Sequence, residues 1–346
     1  MGGGNGLSTL LRGLKRYARL GEGSVDITAV VTVTDDGGSS GRLRREFDVL
    51  PTGDIRNCMV ALSRDETFMA RLFQYRFTNG RGLKGHSFGN LFLTAMTHLT
   101  GDFPHAVQYS TQVLGVLGQI FPATAADVSL EATLANGKKI AGETRISKSR
   151  SRIESVALKP AGKVKPLAET LKAIASADLI TLGPGSLFTS IIPNLLVYGI
   201  PQALARSGAL KVYFVNLMSQ PGETSQFTAA DHVAAVLRHF QTHKSKSQDS
   251  KAAEARCPLD ICVVNTASIR GQALGHYQAR AARPIENDFA KLQALGVEVI
   301  EADLLRLNRR QKADKIRHDS GAIGAIAIEL AQRGRWRILE SQNAKV

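Results

Sequence analysis

Continuously apolar runs rich in β-branched residues recur along this chain, and each one is followed by a loop and a helix-like segment. The clearest run is DITAVVTVT at 26–34, and others lie at 178–182, 211–215 and 260–264, with a shorter one at 297–300. A strand without polar alternation is typically covered on both faces, as the strands of parallel sheets are. The pattern therefore predicts an α/β fold with a doubly wound, mostly parallel sheet.

Three segments depart from this alternation. Residues 54–116 have the pattern of successive helices, which predicts a helical insertion. Residues 127–158 alternate between polar and apolar and carry an Asn-Gly pair at 136–137, so we expect a small β-rich insertion with a hairpin. The segment 242–256 is rich in Ser and Lys and is predicted to be a flexible surface loop. We expect all three segments to belong to a single domain that spans 1–340.

The composition indicates a globular protein with anionic partners. The 346 residues are 43% hydrophobic, no apolar run reaches the roughly 18 to 20 residues that cross a bilayer, and no signal-peptide pattern is seen. We therefore expect a cytoplasmic protein. The net charge of +14 points to nucleic acid, a membrane surface or phosphorylated ligands. Because the basic clusters lack interleaved aromatic residues, nucleic acid is kept only as an alternative and is not the expected partner.

The cysteines argue against a disulfide framework and against a zinc site. The chain has an odd number of cysteines, three, and no C-x-x-C spacing; they are Cys58, Cys257 and Cys262. We expect three reduced thiols.

The glycine-rich stretch GGGNGLS at 2–8 precedes an amphipathic helix-like segment. It is not the dinucleotide fingerprint, because the third glycine position of G-x-G-x-x-G is occupied by Thr9. Gly4, Asn5 and Gly6 would still present N–H groups at a helix start, where a phosphate can bind, with Ser8 and Thr9 as hydroxyl donors. A plain tight turn explains the same residues, and both interpretations stay open.

A second polar stretch, DDGGSSG, directly follows the run at 26–34, where an α/β sheet builds its ligand crevice. Asp35 and Asp36 could bind Mg²⁺, accept hydrogen bonds from a ribose or a base, or cap a turn. An aspartate at such a strand end also suits NAD, so a dehydrogenase is not excluded by this stretch.

The stretches PTGDIRNC and GHSFGN add polar residues at predicted helix starts. Asp54 is predicted as the N-cap of a helix over 55–63. Arg56 in the first turn opposes the helix dipole unless an anion or a carboxylate lies nearby, and Asn57 follows it. Asn90 opens an otherwise apolar helix, and a buried Asn needs partners.

The stretch LITLGPGS places a second glycine turn at the end of a predicted buried strand. Gly183, Gly185 and Ser186 would offer another set of free N–H groups at the same edge of the sheet. Two such turns suggest a ligand with two anionic groups. A rigid helix entry explains one turn but makes the duplication a coincidence.

Six ordered segments together resemble a known family. They are GGGNGLSTLLRGLK, TVTDDGGSSGRLR, PTGDIRNCMVAL, GHSFGNLFLTAM, LGPGSLFTSIIPNLL and NLMSQPGETSQFTAADHV. From residue 2 to about residue 330 the chain resembles the gluconeogenesis factor family of UDP-sugar-binding proteins (YvcK-like), which is related to the 2-phospho-L-lactate transferases (CofD-like). The resemblance implies a Rossmann-like fold that holds UDP-N-acetylglucosamine or UDP-glucose. It also implies a regulatory role in cell shape and cell-wall supply during growth on gluconeogenic carbon sources.

The resemblance also assigns site residues. Family members usually have Thr where this chain has Asn5, so a hydroxyl is lost there while a hydrogen-bonding side chain is kept. The implied ligand-binding residues are Gly4, Asn5, Gly6, Ser8, Asp36, Asn57, Asn90, Gly183, Gly185, Ser186, Asn216, Gln220, Tyr277 and Arg317. Tyr277 would contact the nucleotide or the sugar, and the Arg317 guanidinium would hold the diphosphate.

Two functions therefore lead, and they differ in chemistry. The first is a non-catalytic UDP-sugar binder that acts through protein partners in cell-wall metabolism, with oligomers not excluded. The second is a phosphotransferase of the 2-phospho-L-lactate transferase kind, in which Asp35, Asp36 and Asp54 would hold Mg²⁺ and act in catalysis. Family members carry an apolar strand before the first glycine loop. We therefore expect that further residues, a strand or a hydrophobic extension, precede Met1, and the cytoplasmic expectation depends on which of the two it is.

Overall fold

The computed structural model describes residues 1–18, 25–64, 68–149, 151–241, 258–306 and 315–344. Among these residues the helices are α1 Gly4–Ala18, α2 Gly38–Phe47, α3 Gly53–Leu62, α4 Phe68–Gln74, α5 Phe88–Thr100, α6 Phe103–Val113, α7 Glu143–Ile146, α8 Ala168–Ser176, α9 Ile192–Leu195, α10 Ile200–Arg206, α11 Ala229–Gln241, α12 Gln272–Gln278, α13 Phe289–Ala294 and α14 Ser320–Asn343. The strands are β1 Thr28–Val31, β2 Gln119–Pro122, β3 Ser129–Leu134, β4 Lys139–Ala141, β5 Ile153–Lys159, β6 Leu179–Leu182, β7 Leu210–Phe214, β8 Ile261–Asn265 and β9 Glu298–Ala302. A π-helical turn, Leu187–Ile191, leads into α9.

A four-stranded parallel sheet in the order β6-β7-β8-β9 forms the larger half of the fold. Its strands coincide, within one or two residues, with the apolar runs of the sequence. Parallel neighbours need a crossover connection, and helices supply these connections here. The predicted α/β fold with a mostly parallel, Rossmann-like sheet is confirmed.

The first two residues lie between this sheet and a second parallel pair, β2-β1. On one side the Gly2 N–H donates to the Val30 carbonyl at 3.1 Å, and the Gly2 carbonyl accepts from Thr32 at 2.9 Å. On the other side the Met1 nitrogen donates to the Thr181 carbonyl at 2.7 Å, and the Met1 carbonyl accepts from Gly183 at 3.0 Å. Residues 1 and 2 thus link the two parallel sheets. The expectation of a full strand ahead of the glycine loop stays a prediction.

Alternate side chains of the central strands enter two separate cores. Tyr213 of β7 packs in the core that contains the π-helical turn and α11, whereas its neighbours Val212 and Phe214 pack in the core that contains α1 and α14. In β8, Cys262 and Ile261 divide in the same way. A strand whose two faces are both buried must be apolar throughout, which explains the lack of alternation in the sequence.

Helices α1 and α14 cross at two glycines. A Cβ atom on Gly13 would overlap with the Ser320 carbonyl oxygen and would lie 3.0 Å from the Gly324 Cα. The two backbones can approach this closely only because neither residue has a side chain. The crossing fixes α1, and with it the glycine turn at the start of α1, relative to the rest of the fold.

The two predicted insertions have the expected secondary structure, and their division from the main domain stays a prediction. The four helices α3 to α6 lie within 53–113, and the antiparallel sheet β4-β3-β5 lies within 129–159 with a turn at Gly137. The sequence analysis missed β2, a four-residue edge strand with no distinctive pattern. The predicted loop at 242–256 lies outside the described residues.

Two of the three cysteines, Cys58 and Cys262, are free and buried. Cys257 lies outside the described residues.

Within the described ranges, no single helix has both the length and the apolar character to cross a bilayer. One pair, Leu187–Leu195 with Ile200–Arg206, passes only when taken together and is bent by 74°.

Candidate functional site

The two glycine turns predicted from the sequence lie directly against each other. A Cβ atom on Gly6, at the start of α1, would overlap with the Pro184 carbonyl and would lie 2.8 Å from the Gly185 Cα. From the other side, a Cβ atom on Gly185 would lie 3.6 Å from the Gly3 carbonyl oxygen. The carboxyl end of β6 and the start of α1 therefore form one continuous backbone surface at the same edge of the sheet.

The first turn leaves only part of its donors free. The Gly4 N–H donates to the Asp54 carboxylate, and the hydroxyls of Ser8 and Thr9 donate to the Asn5 carbonyl at 3.0 and 2.7 Å. The Asn5 side chain is exposed. The N–H groups of Asn5 and Gly6 have no hydrogen-bond partner among the described residues. These two groups, with the positive end of the α1 dipole behind them, are the ones that an anion can reach.

The second turn is also partly committed to the protein. The Gly183 N–H donates to the Met1 carbonyl. The N–H groups of Phe188 and Thr189 donate to the Glu223 carboxylate. Glu223 also accepts from the Thr189 hydroxyl at 3.0 Å and is only 4% exposed, so its burial raises the pKa of this carboxyl above the ordinary value. The N–H groups of Gly185 and Ser186 remain without a partner in the described structure.

Gln220 connects the second turn to the loop after β7. Its Nε2 donates to the Ser186 hydroxyl at 2.9 Å, while its Oε1 is buried and has no hydrogen-bond partner among the described residues. A buried carbonyl oxygen without a partner is costly, by about 1–3 kcal/mol. The Gln220 amide is therefore held in place on one side and is unsatisfied on the other.

Carboxyl groups from four separate segments lie near the two turns. Burial raises the pKa of Asp54 to about 6, and the neighbouring Asp35 raises it further. Burial also raises the pKa of Glu143 to about 9, with additional repulsion from Asp35, Asp54, Glu223 and Asp36. Asp35, Asp36, Asp54, Glu143 and Glu223 thus form an acidic cluster in which like charges oppose one another's ionisation.

Asp36 joins the β-rich segment to this acidic cluster by hydrogen bonds. Its Oδ1 accepts from the Thr144 N–H at 2.9 Å and from the Thr144 hydroxyl at 2.7 Å. A Cβ atom on Gly142 would overlap with the Asp36 carboxylate, so the glycine gives this side chain room. Asp35 instead accepts from the Gly37 N–H at 2.8 Å and from the Ser40 side chain. The two neighbouring aspartates therefore bond to different parts of the protein.

Arg56 organises the polar residues of the helical segment. Its guanidinium donates to the Ser87 hydroxyl, to the Asn90 Oδ1 at 3.0 Å and to the Asn57 Oδ1 at 3.0 Å. Asn90 is 2% exposed. The carboxylates of Asp54 and Asp35 interact favourably with the Arg56 charge, which explains an arginine in the first turn of a helix. Asp54 is not the N-cap, because α3 begins at Gly53 with Thr52 as the capping residue, so this prediction was wrong.

A cationic group lies on the α1 and α14 side of the same edge. Arg12 of α1 has its pKa lowered by burial and by the charges of Arg317 and Arg306. Arg317 is exposed. None of the three arginines, Arg12, Arg306 and Arg317, forms an ion pair with a described carboxylate. His318 Nε2 donates to the Val215 carbonyl at 3.2 Å, which holds the Arg317 segment at the carboxyl end of β7.

Tyr277 lies beside the Arg317 segment. The Tyr277 hydroxyl, from α12, donates to the Ile316 carbonyl at 3.5 Å. Asn216, another of the predicted ligand-binding residues, lines a cleft of about 260 Å³ between the carboxyl ends of β7 and β8. The sequence-predicted residues thus occupy one edge of the sheet, in two groups that lie near the glycine turns and near the ends of β7 and β8.

Comparisons with known proteins agree on the family. The family model described as 2-phospho-L-lactate transferase CofD matches residues 1–305. The gluconeogenesis factor of Bacillus subtilis (strain 168) is 45% identical over 329 residues, which are 95% of this chain and 96% of that protein. The chain belongs to the gluconeogenesis factor family, within the wider CofD family.

Other relatives support the same assignment to the gluconeogenesis factor family. The gluconeogenesis factor of Halalkalibacterium halodurans is 43% identical over 328 residues, or 95% of this chain and 94% of that one. A crystal structure of a Bacillus halodurans protein matches with a TM-score of 0.85 at 42% identity, covering 94% of this chain and 97% of that chain. A second crystal structure, of a UPF0052 family member from the same organism, gives a TM-score of 0.83.

The residues of this gluconeogenesis factor family member fit Mg²⁺ only in part. The acidic cluster supplies oxygen ligands, which Mg²⁺ prefers, and a cation would relieve the repulsion among its carboxyl groups. However, in the described ranges no three His, Cys, Asp or Glu side chains lie close enough to share a metal ion. Asp36, one of the predicted Mg²⁺ ligands, already bonds to Thr144. Among the described residues, protein ligands alone therefore do not form a metal site, and a cation here would need water or phosphate oxygens as further ligands.

Sequence reasoning missed four charged residues of the site in this gluconeogenesis factor family member. They are Arg12, Glu143, Glu223 and Arg306. Glu143 lies in the β-rich segment, far along the chain from Asp35 and Asp54, whose charges act on it. Glu223 lies in the loop after β7, 35 residues from Phe188, from whose N–H it accepts a hydrogen bond. Only Arg12 had a local signal, since it lies on the helix that the first glycine turn begins.

Proposed function

We propose that this chain binds a nucleoside diphosphate sugar of the UDP class, such as UDP-N-acetylglucosamine or UDP-glucose, and does so as a regulator without catalysis. The observation that carries the proposal is the direct packing of the two glycine turns, which puts the free N–H groups of Asn5, Gly6, Gly185 and Ser186 at one place. Backbone donors at a helix start are suited to phosphate oxygens. Two adjacent sets suit a diphosphate.

The charges near the turns support a ligand with both anionic and neutral polar parts. Arg12, Arg306 and Arg317 lack described carboxylate partners, so a diphosphate would relieve their mutual repulsion. The acidic cluster would repel a bare phosphate. Its carboxyls can instead accept hydrogen bonds from sugar hydroxyls, or hold Mg²⁺ jointly with phosphate oxygens, which would supply the missing ligands. Magnesium is therefore proposed as an aid to binding.

The regulatory role rests on the names of the relatives and on two histidines of the described residues that already have protein partners. The relatives with 43% and 45% identity bear the name gluconeogenesis factor. His86, whose Nδ1 lies 3.0 Å from the Ser39 hydroxyl, and His318 are both engaged with the protein. We propose that the bound state signals sugar-nucleotide supply to protein partners in cell-wall metabolism in the cytoplasm, and so affects cell shape during growth on gluconeogenic carbon sources.

A phosphotransferase is the second candidate, and the CofD family match over residues 1–305 favours it. Asp54, with a pKa of about 6, and Asp35 lie beside the Gly4 end of the glycine turn. A transferase would use such carboxylates to bind Mg²⁺ against a transferring phosphoryl group. Asp36 is less suited to that task, because Thr144 occupies its Oδ1.

The test is calorimetric titration with UDP-N-acetylglucosamine and UDP-glucose, with and without Mg²⁺, followed by analysis of the recovered nucleotide. We expect saturable binding and an intact ligand. Gly185→Val should abolish binding, because the added side chain enters the space between the two turns. The protein should still fold, because a Cβ atom at this position meets its neighbours only at ordinary van der Waals distances. Gly275→Ala, on an open helix surface, is the matched control.

Two results would contradict this proposal. Unchanged affinity in folded Gly185→Val would make the second turn purely structural. Turnover of a nucleotide-activated phospholactate with a deazaflavin acceptor, abolished by Asp35→Asn or Asp54→Asn, would establish the transferase instead.

A further inference from the structure

The cleft between the carboxyl ends of β7 and β8 is separate from the two glycine turns, and no residue of either turn lines it. Its lining residues are Asn216 and Leu217 after β7, Asn265 at the end of β8, Ala267–Ile269 after β8, and Pro284, Ile285 and Asn287. The lining alternates between amide groups and apolar walls. Apolar walls with a few polar groups are typical of small-molecule binding sites.

The cleft is held open by the protein's own hydrogen bonds. Asn265 Oδ1 accepts from the N–H groups of Ala267 and Leu304 at 3.3 and 3.0 Å, and its Nδ2 donates to the Ala267 carbonyl at 2.9 Å. The Asn287 Nδ2 donates to the Asn265 carbonyl at 2.8 Å. The opposite wall is tied by the Ile285 N–H, which donates to the Leu217 carbonyl at 3.1 Å. The walls are therefore fixed before any ligand arrives.

Asn216 differs from the other two asparagines of the cleft. Its side-chain amide makes no hydrogen bond with any described residue, although the side chain is only partly exposed and lines the cleft. The Asn287 Oδ1 likewise has no partner in the described part of the chain. One complete amide and one additional acceptor are thus available to a bound molecule.

The position of the cleft relates it to the phosphate-binding turns. Asn216 and Gln220 are four residues apart on one loop, so at most about 14 Å of extended chain separates them. Gln220 donates to Ser186 of the second turn. A ligand with its phosphates on the turns would extend along this loop, through its ribose, into the cleft.

We propose that this cleft is the nucleobase subsite, and that the Asn216 amide reads the imide edge of uracil with the help of Asn287. This inference rests on the proposed function and specifies where the base lies. The amide N–H₂ suits the uracil O4 and the amide oxygen suits N3–H, while Leu217, Ile269 and Pro284 contact the ring. A cleft of about 260 Å³ lies just below the ~300 Å³ lower bound of ordinary ligand pockets, so it takes a base with part of its ribose and not the whole nucleotide.

The experiment measures base preference by titrating the full chain with UDP, CDP and inorganic pyrophosphate. In Asn216→Asp the side chain has only acceptors, which repel the uracil O4 but accept from the cytosine amino group. We expect the preference for UDP over CDP to fall at least tenfold in Asn216→Asp, and to be lost in Asn216→Ala. Comparing the ratio of the two nucleotides removes the general effect of an added negative charge on any diphosphate. Asn79→Asp, in an exposed loop, is the matched control and should keep the wild-type ratio.

The outcomes separate this inference from the proposed function. If wild-type protein binds UDP, and both Asn216 variants keep its preference over CDP, the base lies elsewhere and only the subsite is overturned. If the Asn216 variants weaken pyrophosphate as much as UDP, the residue acts on the phosphates and the base assignment also falls. If no nucleotide binds to the wild-type protein, the proposed function falls and the subsite with it.

Discussion

Gly6 packs so tightly against the Pro184 carbonyl that a side chain of any size at position 6 would overlap with it. The contact joins the start of α1 to the turn after β6, residues that are far apart in the sequence. It sets the distance between the two groups of free N–H donors, and therefore the separation at which two phosphates could be held.

Replacing Gly6 should damage both stability and ligand binding. In Gly6→Ala the Cβ atom must push the Pro184 backbone away, and overpacking of this kind costs about 1–3 kcal/mol. We expect the free energy of unfolding, measured by urea denaturation, to fall by that amount, and the affinity for UDP to fall with it. Gly275→Ala is the control, because nothing lies within 4 Å of its Cβ position. Equal stability of the two variants would show that the turns can separate freely.

The pKa of Glu143 predicts that stability falls as the pH rises. Its carboxyl keeps a proton in the folded protein up to about pH 9, while in the unfolded chain it ionises near 4.5. The stability that comes from the protonated form is therefore complete below pH 4.5 and is lost as the pH approaches 9. Glu143→Gln is neutral at every pH, so we expect it to be more stable than wild type at pH 9 by roughly 1–3 kcal/mol, since partial exposure reduces the full effect.

Urea denaturation of Glu143→Gln and wild type at several pH values tests this prediction. The two proteins should differ least near pH 4.5. Glu154→Gln, at an exposed position of β5, is the control and should follow wild type throughout. Parallel pH profiles for Glu143→Gln and wild type would mean that Glu143 is ionised in the folded protein.

Arg317→Ala should have opposite effects with and without an anion. Without ligand it removes a charge that opposes Arg12, so the melting temperature should stay the same or rise slightly. With several millimolar pyrophosphate the wild type should be stabilised, because a ligand that binds the folded state raises its melting temperature, and the variant should gain much less. Arg71→Ala, at an exposed position of α4, should behave as wild type in both conditions. A full pyrophosphate shift in Arg317→Ala would place the anion away from this arginine.

Glu223 should be necessary for stability even though it is a buried acid. Its carboxylate satisfies the N–H groups of Phe188 and Thr189 together with the Thr189 hydroxyl. Glu223→Ala leaves these buried donors without partners, at about 1–3 kcal/mol for each. We expect the chemical denaturation midpoint to fall sharply in Glu223→Ala and much less in Glu223→Gln, which keeps one acceptor oxygen. Similar losses in both variants would assign the effect to the charge.

The sequence by itself determined the larger sheet and the two glycine turns. Four of the apolar runs became β6, β7, β8 and β9 because a strand covered on both faces can carry no polar alternation, and this is visible in any short window. The glycines at 4 and 183 have φ values of +61° and +76°, which side chains rarely adopt. Such local requirements restrict the residue type at the position itself and can therefore be recognised in the sequence.

The tertiary structure alone decided which groups of these turns remain free and which charges surround them. Gly183 gives its N–H to Met1, and Asp54 accepts from Gly4 where the sequence indicated an N-cap. Asp36 and Thr144 are 108 residues apart and yet hydrogen-bonded. The edge strand β2 and the approach of Glu143 have no local pattern, because each depends on a partner supplied by a distant segment. A hydrogen bond or a charge pair requires two groups at one point in space, and only the packed chain brings them there.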